Sequence, residues 1–263
     1  MIEERPNPDA VLKQILDEKE ENVKRKGRLK IFFGYAAGVG KTFAMLEAAH
    51  EAKKSGIDIV AGYIEPHTRV ETLALLEGLE MLPNLKIQYK GITLNEFDLD
   101  GAIKRKPQLI LVDELAHSNA EQCRHIKRYQ DIKELLENGI DVYTTVNVQH
   151  IESLNDIVAS ITGVIVRERV PDSVFDDADQ VELVDIEPED LIARLNQGKI
   201  YKENQVKRAL VNFFTKEKLV ALREIALRRT ADAVNKKIDK ERENNKSGYY
   251  TEEHILICLS SAP

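Results

Sequence analysis

The residues best suited to chemistry lie in GYAAGVGKTFAML, from Gly34 to Leu46. A glycine-rich loop closed by Gly-Lys-Thr offers backbone N–H groups to phosphate oxygens, and the positive end of a following helix adds to them. Gly38, Val39 and Gly40 form the cradle, Lys41 reaches the β- and γ-phosphates, and Thr42 holds Mg²⁺. The usual spacing would put the first glycine at position 35, but Tyr35 stands there and Gly34 precedes it. The Gly40-Lys41-Thr42 end that carries the chemistry is intact. Stripped of that chemistry, the glycines would make a plain strand-to-helix turn.

A second set of residues follows an apolar run. In LILVDELAH, Asp113 and Glu114 close a strand, at the edge of a doubly wound sheet where ligands bind. Asp113 suits a second Mg²⁺ anchor acting through water, because Mg²⁺ keeps much of its hydration shell. Two carboxylates compete to activate a water: Glu114, next to Asp113, and Glu65, at the end of YIE. Their plainer roles are a helix cap for Glu114 and a partner of His67 or Arg69 for Glu65. Thr145, Asn147 and Gln149 in TTVNVQH end a further strand and could sense a γ-phosphate, or simply form the turn there. In CRHIKR (123–128), Arg124 stands for an arginine offered to the triphosphate from this or a neighbouring subunit, or for a solvated basic face.

These groups need a framework. LKIFFGY (29–35) and QLILVDE (108–114) are near-continuous apolar runs, as expected of strands buried on both faces. Between and after them the pattern predicts helix over 40–55, strand over 57–65, helix over 68–82 and a short strand over 85–91. It continues with helix over 120–138, strand over 141–148, helix over 150–161, and strands over 163–171 and 181–186. Such alternation gives an α/β fold, a P-loop NTPase-like, doubly wound and mainly parallel sheet. Ahead of it, Asn7 and Pro8 start a helix with a stripe of Val11, Leu12, Ile15 and Leu16. Residues 1–28 thus read as N-terminal helix and linker, 29–187 as the nucleotide-binding domain and 188–246 as a C-terminal helical extension. In the extension, Val206, Leu210 and Phe213 share a face that Leu219, Leu222 and Ile225 continue. NNKSG (244–248) reads as a polar break.

Composition narrows the function. The chain has 263 residues, 43% of them hydrophobic, with 38 basic and 45 acidic side chains and a formal charge of -7. That balance argues against a general nucleic-acid binder. Cys123 and Cys258 are far apart and read as reduced thiols of a cytoplasmic protein. No secretory leader and no membrane-length apolar run is expected. The histidines fit no H-E-x-x-H pattern, and no G-x-S-x-G elbow is present, so phosphate chemistry has no rival.

GRLKIFFGYAAGVGKTFAMLEAA, ELAHSN, RHIKRYQDIKELL, GIDVYTTVNVQHIESLND and VPDSVFDDADQVELVDI together closely resemble the N-terminal cytoplasmic domain of the KdpD family, the osmosensitive potassium-sensor histidine kinases. The resemblance covers roughly residues 5–230 and extends to the early glycine at 34. It departs at His117-Ser118-Asn119-Ala120-Glu121-Gln122, where the family commonly has His-Thr-Asn-Ala-Pro-Gly. It implies a phosphate loop over Gly34–Thr42, a metal-side strand end at Asp113 and Glu114, and ATP with Mg²⁺ as ligands. It also implies a sensor module whose partners are the kinase half of the same protein and a response regulator, in a protein anchored in the cell membrane. The segment 250–263, with HILICLSSAP, resembles the first strand of the following universal-stress-protein-like domain; cyclic di-AMP is a ligand of that domain in some members. The apolar strand brings a second copy of the chain into view as a partner.

The expected function is therefore a regulatory ATP-binding input domain of a two-component kinase that controls potassium-transporter expression. The fragment lacks a phosphoacceptor histidine motif and would be at most a slow ATPase. The alternatives are an autonomous P-loop phosphotransferase resembling a nucleoside kinase, which needs an acceptor pocket, and a scaffold with a vestigial loop.

Overall fold

A computed structural model describes residues 25–65, 70–197 and 214–245. Within these, 25–31 with 42–145 form one compact unit, and 32–41 with 146–245 form another. The sheet has six strands in the order β3 (Glu80–Met81), β2 (Ile59–Tyr63), β6 (Leu109–Val112), β7 (Asp141–Asn147), β1 (Leu29–Gly34) and β8 (Gln180–Leu183), with β1 contributing to both units.

The first unit opens, after the start of β1, with helix α1 (Lys41–Lys54). The helix buries Met45, Leu46 and Ala49 and ends on Lys53 and Lys54, whose charges suit the negative end of the helix dipole. Strand β2 (Ile59–Tyr63) follows and is buried throughout. Where sequence predicts helix over 68–82, the described chain has only α2 (Val70–Ala74), then turns, then strand β3 (Glu80–Met81). Gly78, at φ +82°, ends the turn, and the chain pairs parallel with β2, Val60 opposite Glu80.

Strands β4 (Leu85–Tyr89) and β5 (Ile92–Glu96) form a separate antiparallel hairpin. Its turn residues Lys90 and Gly91 both have positive φ, +48° and +82°, the form that matches strand twist in a two-residue loop. Only the first of these strands is expected from sequence. Helix α3 (Leu99–Arg105) is also new; the Asp98 carboxylate caps it by accepting from Gly101 N at 2.9 Å. Strand β6 (Leu109–Val112) is wholly buried and runs parallel between β2 and β7 (Asp141–Asn147).

Helix α4 covers Arg128–Glu137 rather than 120–138. The residues before it make a closed loop instead of helical turns. Asn119 N donates to Ile126 O (2.9 Å), Asn119 Nδ2 donates to His125 O (3.0 Å), and Arg128 N donates to His117 O (3.1 Å). These bonds use backbone groups that a helix would need.

In the second unit, helix α5 (Asn155–Thr162) begins later than predicted, after two 3₁₀ turns at Val148–His150 and Glu152–Leu154. The expected strand over 163–171 is absent. Val164 and Ile165 are exposed, and only Val170 bridges to Ile151. Helix α6 (Asp172–Asp176) places the Phe175 ring edge-on to Phe33, with centroids 4.8 Å apart. Strand β8 (Gln180–Leu183) is followed by Val184, whose N–H donates to Phe33 O at 2.7 Å.

Helix α7 (Pro188–Asn196) starts with proline at its first turn, where no backbone donor is lost, and buries Leu191 and Leu195. Helix α8 (Lys216–Asn245) buries Leu219, Leu222, Ala226 and Ala233, with Ile225 only half-buried. It runs through Asn244 and Asn245, where a break is expected from sequence. Among the described residues no helix is long and apolar enough to cross a membrane. The predicted helix from Asn7, the Val206–Phe213 face and the strand at 254–263 lie outside the described residues.

Candidate functional site

In the first unit the chemistry gathers at the end of β6. Pairing with β2 carries one residue past the strand, through Asp113 N to Tyr63 O at 2.8 Å, and this fixes the aspartate backbone. The Asp113 side chain is buried and meets three donors. Thr42 Oγ1 donates to Oδ2 at 3.0 Å, while Thr145 Oγ1 and Glu114 N (3.1 Å) donate to Oδ1. The threonine of the Gly-Lys-Thr motif and the aspartate that closes β6 are therefore direct partners, although 71 residues separate them.

Glu114 adopts a left-handed backbone, φ +61°, uncommon for a residue with a side chain. The turn is held by its own N–H, which also reaches Thr145 Oγ1 (3.3 Å), and by Leu115 N donating to Thr145 O (3.0 Å). Partial burial and the charges of Glu65 and Asp113 push the Glu114 carboxyl up to about 7; His117 and Arg128 pull the other way. Glu65 in turn accepts from the Tyr63 hydroxyl at 2.8 Å. Burial, then that bond, raises the Tyr63 phenol.

Behind Asp113 lies a layer that sequence reasoning missed. Arg128, the first residue of α4, is fully buried. Its guanidinium lies 4.1 Å from the centroid of the Tyr63 ring. Nη1 donates to Asp113 O at 3.2 Å and Nη2 to Glu96 Oε2 at 3.1 Å. Glu96 also receives His117 Nε2 (3.1 Å) and Ala120 N (3.0 Å). Burial opposes ionisation of Glu96, but the His117 bond and the Arg128 charge outweigh it and hold the carboxyl below its usual range. Arg128 belongs to the CRHIKR run, so a basic residue was in view; its carboxylate partner sits in a hairpin strand that no motif announced.

Arg124, the arginine singled out from that run, pairs with Asp100 and Glu134. Of the three polar residues at the end of β7, Thr145 is at Asp113. In the second unit, Asn147 keeps a buried Oδ1 with no hydrogen-bond donor among the described residues. Gln149 Nε2 stands 3.5 Å from His150 Nε2.

The glycine loop belongs to the second unit, up to Lys41. Gly38 and Gly40 have φ of +93° and +110°, open to glycine and rarely to other residues. Val39 is buried, and Lys41 Nζ donates back to Ala36 O at 3.2 Å. A Cβ on Gly34 would stand 2.7 Å from Val39 Cγ2 and 3.1 Å from Lys41 Cδ, which accounts for the early glycine. Tyr35, at the usual glycine position, is buried and donates its hydroxyl to Ile186 O at 3.1 Å.

A family model described as the osmosensitive K⁺ channel His kinase sensor domain, KdpD, matches residues 25–234. The sensor protein KdpD of Clostridium acetobutylicum is 60% identical over 262 residues, covering 99% of this chain and 29% of that protein. The sensor protein KdpD of Escherichia coli K12 is 52% identical over 257 residues, 97% of this chain and 28% of that protein. The chain thus spans less than a third of the length of these relatives. Among solved structures, AMPPCP-bound DnaA from Aquifex aeolicus aligns at 10% identity over 89% of this chain and 66% of that one, with a TM-score of 0.30.

Proposed function

The chain belongs to the KdpD family of osmosensitive potassium-channel histidine-kinase sensor domains, and from that premise we propose that it is a regulatory Mg²⁺-ATP-binding input module. Its nucleotide state is passed to the kinase half of the same protein, and through a response regulator to potassium-transporter expression. The full-length protein is anchored in the cell membrane, with this module on the cytoplasmic side.

The observation that carries the reading is the Thr42–Asp113 hydrogen bond. A hydroxyl from the phosphate loop and a carboxylate from a neighbouring strand share one contact, as two groups that flank a bound Mg²⁺ would. Among the described residues no three His, Cys, Asp or Glu side chains cluster as a metal cage. Mg²⁺ does not need one, since it keeps several waters and takes the rest of its ligands from phosphate. The missing Cβ at Gly34 and the positive φ of Gly38 and Gly40 fit a loop whose backbone N–H groups turn toward phosphate. Bound Mg²⁺ would neutralise phosphate charge; Lys41 would add a cation, and Thr145 would hold Asp113 in place.

Isothermal titration with ATP and ADP, with and without Mg²⁺, tests the reading. Mg²⁺-dependent binding that Lys41→Ala removes is the expected result. Undiminished binding to that variant would move the nucleotide elsewhere, and no binding to the wild type would reduce the loop to a structural turn.

A further inference from the structure

Helix α7 brings an arginine, Arg194, to the phosphate loop. Leu191 and Leu195 are fully buried and fasten the helix, and Arg194 stands exposed beside them. Its Nη1 lies 3.5 Å from Gly38 O and 3.8 Å from the point where a Cβ on Gly40 would be. The guanidinium is thus set against the two positive-φ glycines of the loop. Two other cations of this unit, Lys216 and Arg223, have acids. Lys216 pairs with Glu189 at 2.6 Å, and Arg223 binds both Asp185 and Glu187 at 2.6 Å. Among the described residues Arg194 has no carboxylate partner; its bond is to a neutral carbonyl, at the long limit for a hydrogen bond.

We infer that Arg194 is a second phosphate-binding cation of the nucleotide site, complementary to Lys41 and supplied by α7. The inference rests on the nucleotide reading above and extends it to a residue outside the loop motif. A guanidinium parked on a carbonyl at 3.5 Å gives up little when a phosphate arrives, and charge-assisted bonds to phosphate are shorter and about twice as strong as neutral ones. Its planar fork suits two phosphate oxygens at once, which a lysine cannot match. Because Arg194 lies on a helix, the contact ties the position of α7 to whether a polyphosphate is present.

The test compares wild type, Arg194→Ala, Arg194→Lys and Lys41→Ala by isothermal titration with ATP, ADP and AMP, alongside melting of each ligand-free protein. Arg194→Ala is expected to weaken ATP and ADP by about ten- to a hundredfold and AMP much less. The ligand-free melting temperature should be unchanged, since the side chain removed is exposed and has no ion pair among the described residues. Arg194→Lys should recover part of the loss. Wild-type affinity in Arg194→Ala, with binding lost in Lys41→Ala, would overturn this inference and leave the nucleotide reading standing. A ligand-free melting loss in Arg194→Ala that accounts for its weaker binding would make the residue structural and also overturn it. Absence of ATP binding by the wild type would overturn both.

Discussion

Gly34 and Lys41 are so close that a single methyl group on the glycine would sit 3.1 Å from the lysine's Cδ. The same methyl would be 2.7 Å from Val39 Cγ2, so the loop must shift to admit it. Gly34→Ala should therefore displace the lysine stem and weaken ATP binding by about tenfold or more. Overpacking a tight site costs about 1–3 kcal/mol, so the fold should persist with a lower melting temperature. Titration and melting of the one variant separate the two effects; unchanged ATP affinity would show that the loop absorbs the methyl without moving Lys41.

Saturating Mg²⁺-ATP should stabilise the protein by about 2.7 kcal/mol at a hundredfold excess over Kd. For a chain of this size that is a melting shift of about 5–10 °C. The shift should vanish in Lys41→Ala and shrink in Asp113→Asn, which keeps the size of the side chain but loses its charge toward the metal. A full shift in Asp113→Asn would exclude a metal role for that residue.

If the module hydrolyses ATP, turnover should be slow and should depend on Glu114 more than on Glu65. Glu114 follows Asp113 directly and is fixed by its left-handed turn, whereas Glu65 is engaged by the Tyr63 hydroxyl. Single-turnover rates of Glu114→Gln and Glu65→Gln decide between them, and a loss confined to Glu65→Gln would reverse the assignment.

Arg128 and Glu96 form a buried ion pair at 3.1 Å, with side chains 0% and 5% exposed. Removing one partner of such a pair costs about 3–5 kcal/mol because the other charge stays buried. Arg128→Met should lose stability on that scale. Glu96→Gln should lose less, since the amide oxygen still accepts from Arg128. Denaturant midpoints of the two variants give the order, and equal losses would mean that the charge of Glu96, not its hydrogen bond, is what buried Arg128 requires.

Asp131 supplies a pH signature. Burial raises its carboxyl from the ordinary 3.8 to about 6, against the hydrogen bond from Asn119 and the charges of His125 and Arg128. The folded state thus binds this proton more tightly than the unfolded one. The stability the group contributes is present below pH 4 and is lost as pH rises from about 4 to 6. Asp131→Asn keeps an oxygen for Asn119 Nδ2 and removes the charge, so it should flatten this slope and gain about 3 kcal/mol at pH 7. Parallel stability–pH curves for variant and wild type would contradict the assignment.

What could be read in the sequence follows from range. Strands β1 and β6 were legible because strands buried on both faces are apolar regardless of period, and the Gly-Lys-Thr segment marks its own loop. Thr42, Asp113 and Thr145 stand in three separate sequence segments, and the structure joins all three. The misread helix over 120–138 has a local cause: the Asn119 side chain takes backbone partners that helical turns would have used. The hairpin strand β5 was passed over because Thr93 and Asn95 dilute its apolar pattern, although the Lys90-Gly91 turn was a usable cue. The Arg128–Glu96 pair could not be read at all. Its members lie 32 residues apart on elements whose contact depends on the finished packing.

The buried Tyr35 has a consequence for how such proteins are found. Its hydroxyl ties the loop entrance to Ile186 O, so the position that elsewhere must be glycine here holds an anchoring aromatic. The steric demand has moved to Gly34, where the strand ends and the lysine stem passes. A pattern scan that insists on a glycine six places before the lysine will discard this chain and any homologue built alike. A filter asking only for a residue without a Cβ against the lysine stem would retain them.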